Sequence, residues 1–552
     1  MPYRFFYQKK NPAERCFLFV ALPQDEESFL SGKYNPLPPL SGNDSGAFLG
    51  RYKKIIDDCR KVNRHNKFFP MIPFALRNTW QSSFYKGLES AARLQKAEGG
   101  DVCFFSPEWF LWCVKKFGAE ADAEDIKKAR RDLGKLRFYR FGMAWQGMRF
   151  ALSRKAPKSV NYKNSDLMIC SVWTQAGCKV WAESGRDPLH GLLPLKIKER
   201  KQRPLLVYHA EDKSVQGEAS GLISPLNISS LLNFLDWFFL AAILFLFRWR
   251  VPESYEYPAE AARRDIETSV SNQLPLALVS YFAAKRFAKV NPAADFIIPY
   301  ENNCWEQGIL LGARESKRKV TGFQHTAFSP SFLKMDNHIE GKLLPDMIFA
   351  GGEEAARMLN VLMGIEKERI KVGCSLRRET SRSPVKVQGG EKILVLLQGS
   401  PEDSLFLYSL SCHLGWENVL VRAHPSWPVS DAFGFSFSNK ALYSDLEEAA
   451  VALYTGTTAS FDALDAGVPV IHIDLGGALS SDPLFELKGC SVKAEWSGKD
   501  DLKRMISRLS ALSADERNRG LKVAHQYIDR YFHPADSVTI ENILENIAHE
   551  RL

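Results

Sequence analysis

From residue 393 onward the chain alternates short aliphatic runs with helix-forming stretches, and this alternation restricts its fold more than any other feature. The runs at 393–397, 419–421, 451–454 and 468–473 are nearly continuous in Ile, Val and Leu, and each ends in a polar or glycine-containing turn. Aliphatic character without a polar alternate suits parallel strands covered on both faces. The expectation is a doubly wound α/β sheet. Upstream, the runs at 167–172, 296–300 and 319–323 read as strands of a second such sheet, so a cleft between two sheets is predicted. The run at 345–352 reads as a strand leading into the second half.

The expected domains are an N-terminal region, 1–160, of uncertain status, a Rossmann-like acceptor and catalytic domain, 161–344, and a Rossmann-like nucleotide-binding domain, 345–552. A length of 552 residues requires more than one core. With 45% hydrophobic and 25% charged residues, extensive disorder is excluded. The net charge of +9 favours anionic partners. No zinc-finger spacing, RNP-like aromatic motif or basic zipper supports nucleic acid. The ten cysteines form no CxxC pair, which points to free thiols in a reducing cytosol. Gln8, Lys9 and Lys10 interrupt the first apolar run before it reaches the length of a secretory core.

Two segments point toward a membrane surface. The first, 231–247, is strongly apolar, but Asn233 and Asp236 break it, and the remainder falls short of the roughly 20 residues of a spanning helix. Arg248, Trp249 and Arg250 follow it, a pairing that suits a headgroup interface. The second, 135–158, mixes Lys and Arg with Phe, Tyr and Trp. A buried helix beside a solvated basic face is the alternative. The predicted location is cytoplasmic, peripheral on the inner face of the cytoplasmic membrane.

The chemistry-bearing residues cluster at predicted strand ends, where open α/β sheets bind ligands. His424 closes one strand, and Pro425 fixes the turn that follows. Thr457, Thr458 and Ser460 lie where another strand passes into a helix, a place for an anion as well as for ordinary capping. Gly399 and Ser400 end a third strand in a turn that admits a close backbone approach. In the first half, Glu301 directly follows a strand and Glu306 opens the next helix, where a carboxylate also favours the helix dipole. Gln324 and His325 end the strand at 319–323, and Arg377 offers a cation for an acidic group. Asp336 and Asp346 are reserve candidates.

His424-Pro425 followed by Thr457-Thr458 resembles the His-Pro and Ser/Thr pair of bacterial sialyltransferases and related CMP-sugar enzymes. That resemblance implies a GT-B fold in which both elements hold the nucleotide phosphate. CDP-glycerol-using teichoic acid polymerases have a similar pair. Tyr300-Glu301 with Trp305-Glu306, and Gly322-Phe323-Gln324-His325-Thr326, are similar to segments of bacterial surface carbohydrate biosynthesis proteins, a group linked to transferases of Kdo and nonulosonic acids. The function this implies is transfer of Kdo or a related ulosonic acid from its CMP form to a cell-surface polysaccharide or lipid-linked glycan. Glu301, His325 and Glu306 are then the catalytic candidates, with Gln324 and Arg377 on substrate. The nucleotide falls to His424, Pro425, Thr457, Thr458, Ser460, Gly399 and Ser400. No Asp-x-Asp element is present, so neither a metal nor another cofactor is expected. The rival readings are a CDP-glycerol glycerophosphotransferase, a sugar-nucleotide 2-epimerase and a catalytically silent membrane-associated assembly factor.

Overall fold

Strands covered on both faces must be reached by crossovers, so they pair side by side and parallel with helices between them. The computed structural model shows this three times. It describes residues 3–8, 17–19, 40, 42–68, 82–97, 99–135, 139–155, 162–210, 223–246, 248–336, 343–376, 378, 390–398, 407, 410, 414, 418–424, 437–498 and 501–549. Among these, every pairing between named strands is parallel.

The N-terminal region has a sheet of its own. Strands β1 (Tyr3–Tyr7), β2 (Phe17–Phe19), β3 (Gly100–Phe104) and β4 (Glu120–Ala121) lie in the order β2-β3-β1-β4. Helices α1 (Gly42–Val62), α2 (Ser83–Leu94), α3 (Pro107–Phe117), α4 (Ala123–Lys135) and α5 (Tyr139–Ser153) belong to the same stretch of chain. Ser106 starts α3 with Pro107 in its first turn, where a missing N–H costs nothing, and Gly118 ends it in the left-handed region at φ 59°.

The upstream sheet has β5 (Leu167–Trp173), β6 (Pro204–Ala210), β7 (Leu226–Asn227), β8 (Asp295–Pro299), β9 (Val320–Phe323), β10 (Met347–Ala350) and β11 (Ile370–Val372), in the order β11-β10-β9-β8-β5-β6-β7. Its helices are α6 (Gln175–Ser184), α7 (Leu193–Glu199), α8 (Phe234–Leu246), α9 (Ala259–Ser269), α10 (Gln273–Val290), α11 (Cys304–Glu315) and α12 (Glu353–Val361). The downstream sheet has β12 (Lys392–Leu396), β13 (Val419–Arg422), β14 (Ala449–Tyr454), β15 (Val470–Ile473) and β16 (Lys493–Trp496), in the order β13-β12-β14-β15-β16. With it go α13 (Leu442–Glu447), α14 (Ala459–Asp465), α15 (Leu502–Ser510), α16 (Ala514–Tyr531) and α17 (Ser537–His549).

The boundary expected at 345 is corrected by this pairing. Residues 347–350 form β10, which bonds to β9 with Met347 opposite Thr321, and β11 adds beyond it. The passage between sheets therefore falls after β11 and before β12. The chain also returns: Ile543, Leu544 and Ile547 of α17 pack with Leu167, Ile169 and Trp173 of β5 in the upstream core. Outgoing and returning segments run together where Ser375 N donates to His533 O at 2.8 Å. Arg378 ties them, donating to Asp529 at 3.1 Å, to the Phe532 carbonyl at 2.7 Å and to Asp465 of α14 at 3.1 Å.

Helices α10 and α11 cross at backbone contact. A Cβ on Gly308 would lie 2.1 Å from the Ala277 carbonyl oxygen. Gly308→Ala is expected to destabilise the protein by about 1–3 kcal/mol through overpacking. The equivalent change at Gly142 of α5, which has open space around its Cβ position, should be neutral or stabilising. Thermal midpoints of the two variants check this.

Candidate functional site

Each of the two larger sheets reverses its strand order once. The upstream order turns between β5 and β8, and the downstream order turns between β12 and β14. Crevices beyond the carboxyl ends of strands at such reversals are the ligand sites of open parallel sheets. Glu301 leaves β8 at the first reversal. Gln398 leaves β12, and Thr455, Gly456 and Thr457 leave β14, at the second. Segments from the two carboxyl edges meet, because Ser331, beyond β9, donates its N–H to the carbonyl of Ser480, beyond β15, at 3.1 Å. The N-terminal region braces both: Lys53 of α1 pairs with Asp336 at 2.6 Å, and Arg93 of α2 donates to the Gly476 carbonyl at 2.6 Å.

The upstream reversal carries a paired acid and imidazole. Pro299 and Phe323 are register partners on β8 and β9. Two residues further along each strand direction stand Glu301 and His325, on one side by the period of two. Their side chains meet, Nε2 of His325 lying 2.9 Å from Oε1 of Glu301, and both are mostly buried. Nδ1 of His325 is buried and has no hydrogen-bond partner among the described residues. Gly322 permits this arrangement, since a Cβ there would come within 2.9 Å of the Tyr300 side chain.

The structure gives Glu306 a different task from the catalytic one expected of it. It completes a capping box with Asn303 at the start of α11. Its Oε2 accepts from the backbone N–H groups of Glu301 at 2.9 Å and Asn303 at 3.1 Å, and its Oε1 accepts from Asn303 Nδ2 at 2.6 Å. Glu306 thus fixes the turn that carries Glu301. Gln324 is likewise committed within the fold rather than to substrate, accepting from Gly351 N at 2.7 Å and donating to the Thr326 carbonyl. Asp336 is held by Lys53, and Asp346 accepts from Val320 N at 2.8 Å. Arg377 lies outside the described residues.

Beside this pair is a buried polar hub that sequence reasoning missed. Asp187 accepts from Ser171 Oγ at 3.0 Å, Trp173 Nε1 at 2.7 Å, Leu189 N at 2.9 Å and His190 N at 2.8 Å. His190 Nε2 lies 2.8 Å from the Cys170 carbonyl, which only accepts, so Nε2 carries the proton. Burial drives the His190 pKa down while Asp187 opposes that shift, and the His190 ring meets Phe323 at 5.9 Å between centroids. The signal available was a His and an Asp three residues apart, in a loop with no strand run to mark it.

On the carboxyl edge of the downstream sheet, His424 stands just beyond the edge strand β13, partly buried, and burial lowers its pKa below the usual 6.5. The lowered pKa favours the neutral ring at pH 7. Thr457 and Thr458 are partly buried at the turn into α14, with Thr457 Oγ1 accepting from Ala459 N at 3.3 Å. Ser460 is not placed as a ligand: it is buried, and its hydroxyl donates to the Thr457 carbonyl at 2.8 Å. Pro425, Gly399 and Ser400 lie outside the described residues. Deeper in the same sheet, His472, Asp482 and Glu495 bring potential ligand atoms within 4.8 Å of one another. The buried Asp482 already has a cation, Lys493 Nζ at 2.7 Å, and a donor, the Tyr454 hydroxyl at 2.8 Å.

Two Rossmann-like α/β units whose carboxyl edges meet, with the C-terminal helix returning to the first unit, define a GT-B type fold. No family model matches the chain, and no curated protein does. Among solved structures it is similar to a UDP-glucosyltransferase from Polygonum tinctorium, at 14% identity over 71% of this chain and 99% of that one, TM-score 0.41. It is also similar to the lipopolysaccharide outer core galactosyltransferase WaaB, at 11% over 70% and 99%, TM-score 0.38. A third is S. aureus MnaA bound to UDP, at 11% over 70% and 96%, TM-score 0.37. Likenesses this distant transfer no residue roles.

His209, near the end of β6, supplies a pH test of the upstream packing. Its Nε2 lies 2.8 Å from Ser280 Oγ of α10, its ring is 5.1 Å from that of Trp305, and burial pushes its pKa down to about 3. A lowered histidine pKa means that unfolding takes up a proton. The stability is present above the unfolded value near 6.5 and is lost as pH falls from there toward 3. At pH 5 the loss is about 2 kcal/mol. Denaturant unfolding from pH 7 to 4 should show that acid limb, and His209→Gln should flatten it.

Proposed function

We propose that the protein is a glycosyltransferase that moves Kdo or a related ulosonic or nonulosonic acid from its CMP donor to a surface polysaccharide or lipid-linked glycan. The observation that carries the reading is the Glu301–His325 pair at the upstream strand reversal, on the edge that meets the downstream one. With Nε2 of His325 directed at the Glu301 carboxylate 2.9 Å away, Nδ1 is the ring nitrogen left to take a proton. An acceptor hydroxyl attacking the anomeric carbon gives its proton to Nδ1. Glu301 stabilises the imidazolium as the carbon–oxygen bond to the phosphate breaks. CMP departs with the electron pair.

The phosphate falls to the downstream edge. His424 and Thr457 leave β13 and β14, which flank β12, so their strands stand about 10 Å apart. That span accommodates a nucleotide phosphate between them. The net positive charge attracts an anionic donor. CMP as the nucleotide rests on the His424 and Thr457 motif. Hydrogen bonds donated by the His424 imidazole and the Thr457 hydroxyl support the departing phosphate without a metal, and the protein works as a cytoplasmic, peripheral one at an anionic membrane surface. None of the described helices is long and apolar enough to cross a membrane.

CMP at 100 times its Kd should stabilise the folded state by about 2.7 kcal/mol, and UDP should not. Glu301→Gln and His325→Gln should keep that thermal shift while CMP release from CMP-Kdo or CMP-sialic acid falls about 10²- to 10⁴-fold. EDTA should leave turnover unchanged. A shift with UDP alone, or CMP release only from CDP-glycerol, replaces the donor. Equal background release by wild type and Glu301→Gln with every donor points to the silent assembly factor.

A further inference from the structure

Helices α5 and α8 pack against each other with their large apolar side chains turned the wrong way for a water-facing surface. On α8 the inward stripe is Trp237, Leu240 and Leu244. Its outward side exposes Phe234 at 81%, Phe238 at 59%, Phe239 at 52% and Leu246 at 77%. The inward stripe of α5 is Ala144, Gly147 and Ala151, while Phe141 and Trp145 are 56% and 59% exposed. A water-facing amphipathic helix buries its bulky residues and exposes polar ones. Here bulky residues of two adjoining helices crowd the outside, more than the scattered apolar residues of an ordinary surface.

Charge identifies the occupant. Arg149 of α5 and Lys155 just beyond it are exposed, and exposed Arg248 and Arg250 follow α8. The ammonium of Lys155 stands 5.5 Å from the ring of Trp237 on the inward stripe of α8, which places this cation at the seam between the two helices. Asp236 is the sole acidic residue in either helix, and Arg286 of α10 neutralises it at 2.9 Å. Thirteen helical residues extend about 20 Å, short of the roughly 30 Å hydrocarbon core.

We infer that α5 and α8 form a docking face that lies in the plane of an anionic phospholipid bilayer, the Phe and Trp side chains among the acyl chains and the Arg and Lys side chains among the phosphates. An apolar wedge with a basic rim is the physical pattern of an in-plane anchor. The inference deepens the peripheral-membrane part of the reading above and is independent of the donor.

The test is sedimentation of the full chain with vesicles of phosphatidylglycerol and phosphatidylcholine, compared with phosphatidylcholine alone. Binding is expected to be at least tenfold tighter to the anionic vesicles and to weaken in high salt. Phe238→Ser/Phe239→Ser should reduce it more than tenfold, and Arg248→Gln/Arg250→Gln should remove the preference for anionic lipid. Both variants should keep the wild-type thermal midpoint and CMP shift, so failure of the donor reading remains separate. No binding to anionic vesicles, or equal binding by the Phe variant, overturns the inference. So does a wild-type dimer that the Phe variant converts to monomer without any vesicle binding, which assigns the face to a second copy.

Discussion

A parallel strand cannot be reached by a tight turn, and the organisation of this chain follows from that constraint. Every strand begins at the same edge of its sheet, so every connection out of a strand leaves from the opposite, carboxyl edge. Wherever consecutive strands are laid to opposite sides of the first, two such connections part and open a crevice. The upstream and downstream sheets each do this once. Glu301 and Thr457 owe their positions to topology before any chemistry is considered.

Topology delivers a residue to the crevice, and hydrogen bonding then fixes its direction. Asn302 takes a left-handed conformation, φ 61°, between Glu301 and the start of α11. Glu306 holds that turn through two backbone N–H groups, and Gln307 secures it from the helix side by donating to Asn302 Oδ1. On the neighbouring strand, Gln324 bonds to Gly351 beyond β10, which steadies the backbone carrying His325. Glu301 and His325 therefore meet as an already oriented pair. Such preorganisation is what makes a buried acid and imidazole useful in proton transfer.

These layers were unequally visible in the sequence. The runs at 167–172, 296–300, 319–323, 393–397, 419–421, 451–454 and 468–473 all overlap strands, because burial on both faces leaves an unbroken aliphatic signature. Which sheet a strand joins has no such signature, and the run at 345–352, which reads as leading into the second half, pairs instead with the first. Its partner is decided by register with β9, a long-range property. The sheet of the N-terminal region leaves little mark on the sequence, since Tyr3–Tyr7 is brief, aromatic and contains Arg4. Within the site, residue type and strand-end position bring Glu301 and His325 forward as candidates, and the structure brings their side chains together. The same two signals bring forward Glu306, Gln324 and Ser460, whose side chains are occupied by the fold itself. A carboxylate that caps a helix and one that faces a crevice look alike until their partners are known.

The same packing joins the apolar outer face to the acid and imidazole. Helix α8 rests on α10 and is fastened there by Asp236 and Arg286. Helix α10 in turn meets α11 at backbone contact through Gly308, and α11 begins with the capping box that holds the Glu301 turn. Close-packed helices transmit position with little give, because interiors at crystal-like density have few voids to absorb a shift. A bilayer seated against α5 and α8 would thus stand at a fixed offset from Glu301 and His325. A lipid-linked acceptor anchored in that bilayer could then reach the crevice only from a restricted direction and height. On the proposed function, such a restriction would select acceptors by the length of their polar headgroup, without requiring any side chain to recognise the lipid.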